Sequence, residues 1–76
     1  MNNQDWFEMI SKKPFEAKLR AYKWCIKEIE YNLKMYNQTD DEFYYNDFLY
    51  QQERANWLFN HLVEENNKLT DTTKNE

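Results

Sequence analysis

Glycine is absent from all 76 residues, and proline occurs once, at position 14. Tight turns between strands draw on glycine for positive φ, so a chain without it is steered towards helices that end on polar residues. The apolar spacing agrees. Phe15, Leu19, Tyr22, Ile26, Ile29, Leu33 and Tyr36 alternate steps of four and three, which places them on one helical face. Pro14 suits a first helical turn because its missing N–H would have no intrahelical partner there, and Asn37 tolerates the left-handed conformation that ends a helix. A helix over 14–36 follows.

Thr39-Asp40-Asp41-Glu42 reads as a capping box, with the Thr39 hydroxyl accepting from the Glu42 N–H and the Glu42 side chain reaching back. It opens a second helix over 40–67, whose apolar positions run from Tyr44 to Val63 and then fade. The short link between the helices enforces an antiparallel hairpin. Asn3 is placed to cap a short amphipathic helix over 4–11, with Trp6, Phe7 and Ile10 folding back onto that hairpin. Residues 68–76 hold one large apolar side chain and are expected to form a disordered tail. The expected architecture is a single all-α domain over 1–67, an antiparallel two-helix hairpin with a short packed N-terminal helix. A chain this short buries only about 60% of its unfolded surface, so a helical-bundle homodimer is expected to supplement the core.

One cysteine, one histidine and no glycine remove the usual material of phosphate loops, zinc sites and disulfide frameworks. The expectation is a non-enzymatic protein with no cofactor, no metal and no small-molecule substrate. His61 with Glu64 and Glu65 has helical ligand spacing, but three exposed donors with no cysteine or second histidine make a poor metal site. Cys25 borders the apolar stripe and reads as a small buried hydrophobe. No basic-then-apolar stretch resembles a signal peptide and no run resembles a membrane span, so a reducing cytoplasm is expected.

Charge is partitioned along the chain. Residues 12–34 carry a net +4 and residues 37–67 a net −6. Two oppositely charged antiparallel helices attract, each exposed pair contributing about 0.2–1 kcal/mol. Two functional readings stand beside that one. Lys13, Arg20, Lys27 and Lys34 are spaced by seven and form a basic stripe that can hold phosphates, although the whole chain is at −4 and repels a polyanion at long range. In the other reading, Asp40, Asp41, Glu42 and Asp47 array carboxylates that can occupy a groove built for DNA phosphates. The helix macrodipole already accounts for acids in a first turn, and Asp47 lies beyond that turn.

Fourteen aromatic residues exceed what one hairpin seam uses. The N-terminal helix can cover one surplus face and leaves another for a partner. Tyr50, Arg54 and Trp57 are the expected anchors, since arginine between two aromatics is an interface combination.

In size, acidity and aromatic load, the whole chain resembles the small early proteins with which phages of low-GC bacteria disable host machinery. Its usage, rich in Asn, Lys, Tyr, Glu and Asp and poor in Gly, Ala, Pro and Arg, fits the same source. The resemblance rests on composition and on no residue motif. It implies a non-enzymatic protein in the host cytoplasm that inhibits a host DNA-handling protein, in several such cases by mimicking DNA. The alternative is a dimeric nucleic-acid-binding regulator that uses the basic stripe.

Overall fold

The computed structural model describes residues 3–74, with side chains described over 3–68. Three helices follow in order, α1 (Asn3–Ser11), α2 (Phe15–Thr39) and α3 (Glu42–Lys74), and no strand occurs among the described residues. α2 and α3 form the antiparallel hairpin, and α1 lies across one of its faces. The molecule measures 55 × 22 × 15 Å. Its radius of gyration is 15.2 Å, against about 11 Å for a compact chain of this length.

The helix ends differ in detail from the sequence expectation. Pro14 is extended (φ −62°, ψ 159°) and stands just outside α2, where its carbonyl accepts from the Lys18 N–H at 3.1 Å. α2 continues past Tyr36 to Thr39 because the Thr39 hydroxyl donates back to the Met35 carbonyl at 2.8 Å. The left-handed residue that ends it is Asp40 (φ 56°, ψ 20°), not Asn37. The expected capping box is replaced two residues on. Asp41 caps α3, its Oδ1 accepting from the Phe43 N–H at 3.0 Å, while the Asp41 N–H donates to Thr39 Oγ1. α3 runs to Lys74, so residues 68–74 of the expected tail are helical, whereas 75 and 76 lie outside the described residues. Beyond Asn67 no glycine or proline interrupts propagation, which adds one hydrogen bond per residue fixed.

A non-glycine residue in the left-handed region carries strain that glycine relieves. Asp40→Gly is therefore expected to stabilise the hairpin by about 0.5–1 kcal/mol in urea denaturation followed at 222 nm. A fall in the midpoint would contradict the assigned geometry.

The core is small, with Ile10, Cys25, Ala55, Leu58 and Leu62 buried alongside the polar Asn3, Lys18, Asn32 and Gln51. On α2 the buried residues are Lys18, Cys25 and Asn32, again spaced by seven. At 100° per residue they lie about 70° around the helix from the centre of the apolar stripe. Small Cys25 faces the side of α3 that carries Ala55, which lets the backbones approach. The two flanking polar positions are satisfied across the seam: Asn32 Nδ2 donates to Asp47 Oδ2 at 2.6 Å, and the Lys18 ammonium pairs with Glu65 and His61. The rotation leaves Tyr22, Ile26 and Ile29 packed against the edge of this core and Phe15 and Leu33 exposed.

Candidate functional site

Asp40, Asp41 and Glu42 form the tip of the hairpin, and all three are exposed. The tip is rigidly tied, because Asp40 N–H closes onto the Tyr36 carbonyl at 2.8 Å and Asp41 caps the next helix. Three consecutive acidic residues thus stand on a tied backbone, and the Asp41 carboxylate is itself held by its cap. Asp47 is different. It is half-buried and its carboxylate serves Asn32, so it is part of the seam and not of the tip.

Tyr50, Arg54 and Trp57 come together, but under α1 and not on an open face. The Arg54 guanidinium lies 4.5 Å from the ring centroids of both Trp6 and Tyr50. Its Nε donates to Asn3 Oδ1 at 2.8 Å and its Nη2 to the Tyr50 hydroxyl at 2.9 Å. Asn3 in turn donates to the Tyr50 carbonyl, so the expected N-cap residue is a buried docking residue. Trp57 is stacked between Phe7, at 4.8 Å, and His61, at 4.8 Å. The combination expected to anchor a partner is half-buried here as the seat of α1, since a guanidinium stacked on two rings satisfies both its charge and its flat surface locally.

Apolar surface stays open on both sides of the hairpin: Trp24, Tyr31 and Phe43 are exposed beyond the reach of α1, and a longer patch lies on the opposite face. Phe15 and Leu33 on α2 and Tyr45, Leu49, Phe59 and Val63 on α3 are exposed there, and Phe59 is 54% exposed. Helical phase puts all six on the side away from α1, and the Tyr22–Phe59 ring contact at 6.2 Å bridges the two helices on that side. A groove of about 500 Å³ lined by Tyr22, Lys23, Ile26, Lys27 and Glu30 runs along the outer flank of α2. The sequence signal for this face was the apolar stripe itself, which the seam only half uses.

Of the basic stripe, Arg20, Lys27 and Lys34 are exposed along α2, while Lys13 lies in the turn before Pro14. Lys18 is withdrawn from the surface. It is 4% exposed, with its ammonium against Glu65 and 2.9 Å from His61 Nε2. The Lys18 hydrogen bond holds the Glu65 carboxyl below its ordinary range. His61 and Glu65 are therefore committed to a lysine, and among the described residues no group of three metal-ligating side chains gathers. Burial pushes the Cys25 thiol upward, partly opposed by Arg54, which keeps it protonated and unreactive.

No helix among the described residues is long and apolar enough to cross a membrane. Comparison of the chain with protein-family models, curated proteins and solved structures finds no match.

Proposed function

We propose that this chain is a small non-enzymatic protein that binds and inhibits a host DNA-handling protein, presenting the acids of its hairpin tip where that protein takes DNA. The observation that carries the reading is the tip: Asp40, Asp41 and Glu42 are exposed and consecutive, on a backbone tied by the Asp40 N–H and by the Asp41 cap. Acids carried on a tied backbone lose less entropy on docking than acids on a free loop, and they borrow the positive field a DNA-binding surface offers its substrate. The resemblance to phage takeover proteins in size and composition supplies the class of partner.

The test neutralises the tip without removing its caps. Asp40→Asn keeps a residue tolerant of the left-handed region, Asp41→Ser keeps a capping oxygen, and Glu42→Gln keeps the helix propensity. The tagged wild type is expected to capture one dominant DNA-binding protein from a nuclease-treated low-GC bacterial lysate. The triple variant is expected to bind that protein at least about tenfold more weakly with unchanged helicity. Equal affinity would remove the mimicry. Asp47 is left alone because its loss would free Asn32 in the seam.

The second reading uses Arg20, Lys27 and Lys34, which share an exposed face of α2. Phosphate binding there would appear as a gel shift at low salt that falls steeply as salt rises.

A further inference from the structure

We infer that the apolar hairpin face opposite α1 is closed by a second copy of this chain, in an antiparallel four-helix bundle whose two-fold axis runs along the helices. Three observations point to that occupant, and none depends on what the tip binds.

The first is size. A compact monomer of 9.6 kDa exposes roughly 5100 Å², whereas this chain exposes 5884 Å². Part of the surplus is the overhang of α3 beyond α2. Apolar side chains add to it, among them Leu33 (40% exposed) and Phe59 (54%) on this face. α2 has 25 residues and so spans about 37 Å. Two helices of that length about 10 Å apart present roughly 750 Å², close to the ~800 Å² each partner gives a standard stable interface.

The second is charge. The outer rim of this face on α2 carries Lys23, Lys27 and Lys34 with Glu16 and Glu30, and the rim on α3 within the span of those residues carries Glu53 and Glu64. Of the two antiparallel ways to stack a hairpin on its copy, one lays α2 on α2 and sets like rims together. The other, with the axis along the bundle, lays α2 on the α3 of the second copy and sets the basic rim against the acidic one. Within the chain, residues that face each other across the seam sum to about 80, as the Lys18–His61 and Asn32–Asp47 contacts show. A two-fold along the helices preserves height, so Lys27 comes level with Glu53 of the second copy at mid-bundle, while Glu16 comes level with Glu64 near the open end.

The third is the polar interruption. Between Leu49 and Phe59 the α3 face reads Gln52 and Asn56, and their level on α2 is the groove lined by Tyr22 and Ile26 and bordered by Lys23, Lys27 and Glu30. Polar residues confined to one level of an otherwise apolar face favour the register that keeps the charged border of Lys23, Lys27 and Glu30 within their reach, as a single buried asparagine does in a coiled coil. This symmetry also brings the two acidic tips to the same end of the bundle.

Sedimentation equilibrium of the full chain over about 1–200 µM tests the inference. The expected result is a species of twice the 9.6 kDa chain mass. Leu33→Glu and Phe59→Glu, both at exposed sites, should each raise the dimer dissociation constant at least about tenfold with helicity retained. Lys27→Glu and Glu53→Lys should each weaken the dimer about tenfold, and the double exchange should restore it. A monomer throughout the range would leave the face to a different protein and overturn the inference. So would a dimer indifferent to both Leu33→Glu and Phe59→Glu. A double exchange that fails to recover would overturn the axis. The neutralised tip variant should dimerise like the wild type, so loss of target binding and loss of dimerisation are separable outcomes.

Discussion

Leu58→Ala is expected to remove about 3–4 kcal/mol of stability, most of what a domain of this size possesses. Leu58 is fully buried and sits in the cluster with Ile10, Cys25 and Ala55, the point where all three helices meet. Two of its neighbours, Cys25 and Ala55, are small and already let the backbones close, so the site has little freedom to collapse around the deleted methyl groups. At about 4–8 °C per kcal/mol for a chain of this length, the melting midpoint should fall by roughly 15–25 °C. Phe59→Ala, one residue on at an exposed position, should cost far less within the monomer. Thermal melts at 222 nm at one fixed protein concentration make the comparison, because a dimer melts with a concentration-dependent midpoint. A loss below about 1 kcal/mol at Leu58 would contradict the assigned core.

Glu65→Ala is expected to be nearly as damaging, by about 2–3 kcal/mol, although Glu65 itself is partly exposed. The cost arises at Lys18, which is 4% exposed and would be left with His61 Nε2 in place of its carboxylate partner. Replacing the lysine tests the cause. Lys18→Met removes the buried charge and fills a similar volume, so Lys18→Met/Glu65→Ala should recover most of the loss. The pH dependence has a definite sign. The Glu65 carboxyl is held below the ordinary value of 4.5, chiefly by the Lys18 hydrogen bond, so its contribution is present above that value and is lost as pH falls through the lower folded one. Wild-type denaturation midpoints should therefore decline on the acid side by more than those of Lys18→Met/Glu65→Ala. Parallel acid limbs would show that the pair does not carry this stability.

The hairpin was legible because the absence of glycine and the steps of four and three between Phe15 and Tyr36 leave few other ways to bury those side chains. The seam was not. A heptad pattern gives the direction of greatest hydrophobicity, whereas α2 and α3 meet where Cys25 and Ala55 permit close approach and where Lys18 and Asn32 find carboxylates. Those partners, Glu65 and Asp47, are 47 and 15 residues away in sequence, and no local spacing announces them. The same limit applies to Tyr50, Arg54 and Trp57. Their composition signals an interface, and they form one, but the surface they meet is α1, through Asn3, Trp6 and Phe7. Thr39 was read as a cap from its neighbours alone, while its hydroxyl instead extends α2 by bonding to Met35. The acidic tip was legible as a cluster, and the structure adds that Asp40 and Asp41 are fixed by the link itself, whereas Asp47 belongs to the seam.

The central claim is that the acidic tip occupies a surface where a host protein takes DNA. The most direct measurement is competition on the captured host protein, with a labelled duplex held on it and this protein titrated in at physiological and at raised salt. The account predicts that the duplex is displaced, that displacement weakens as salt screens the tip, and that the neutralised tip variant displaces at least about tenfold less well. A stable ternary complex of host protein, duplex and this chain would contradict it.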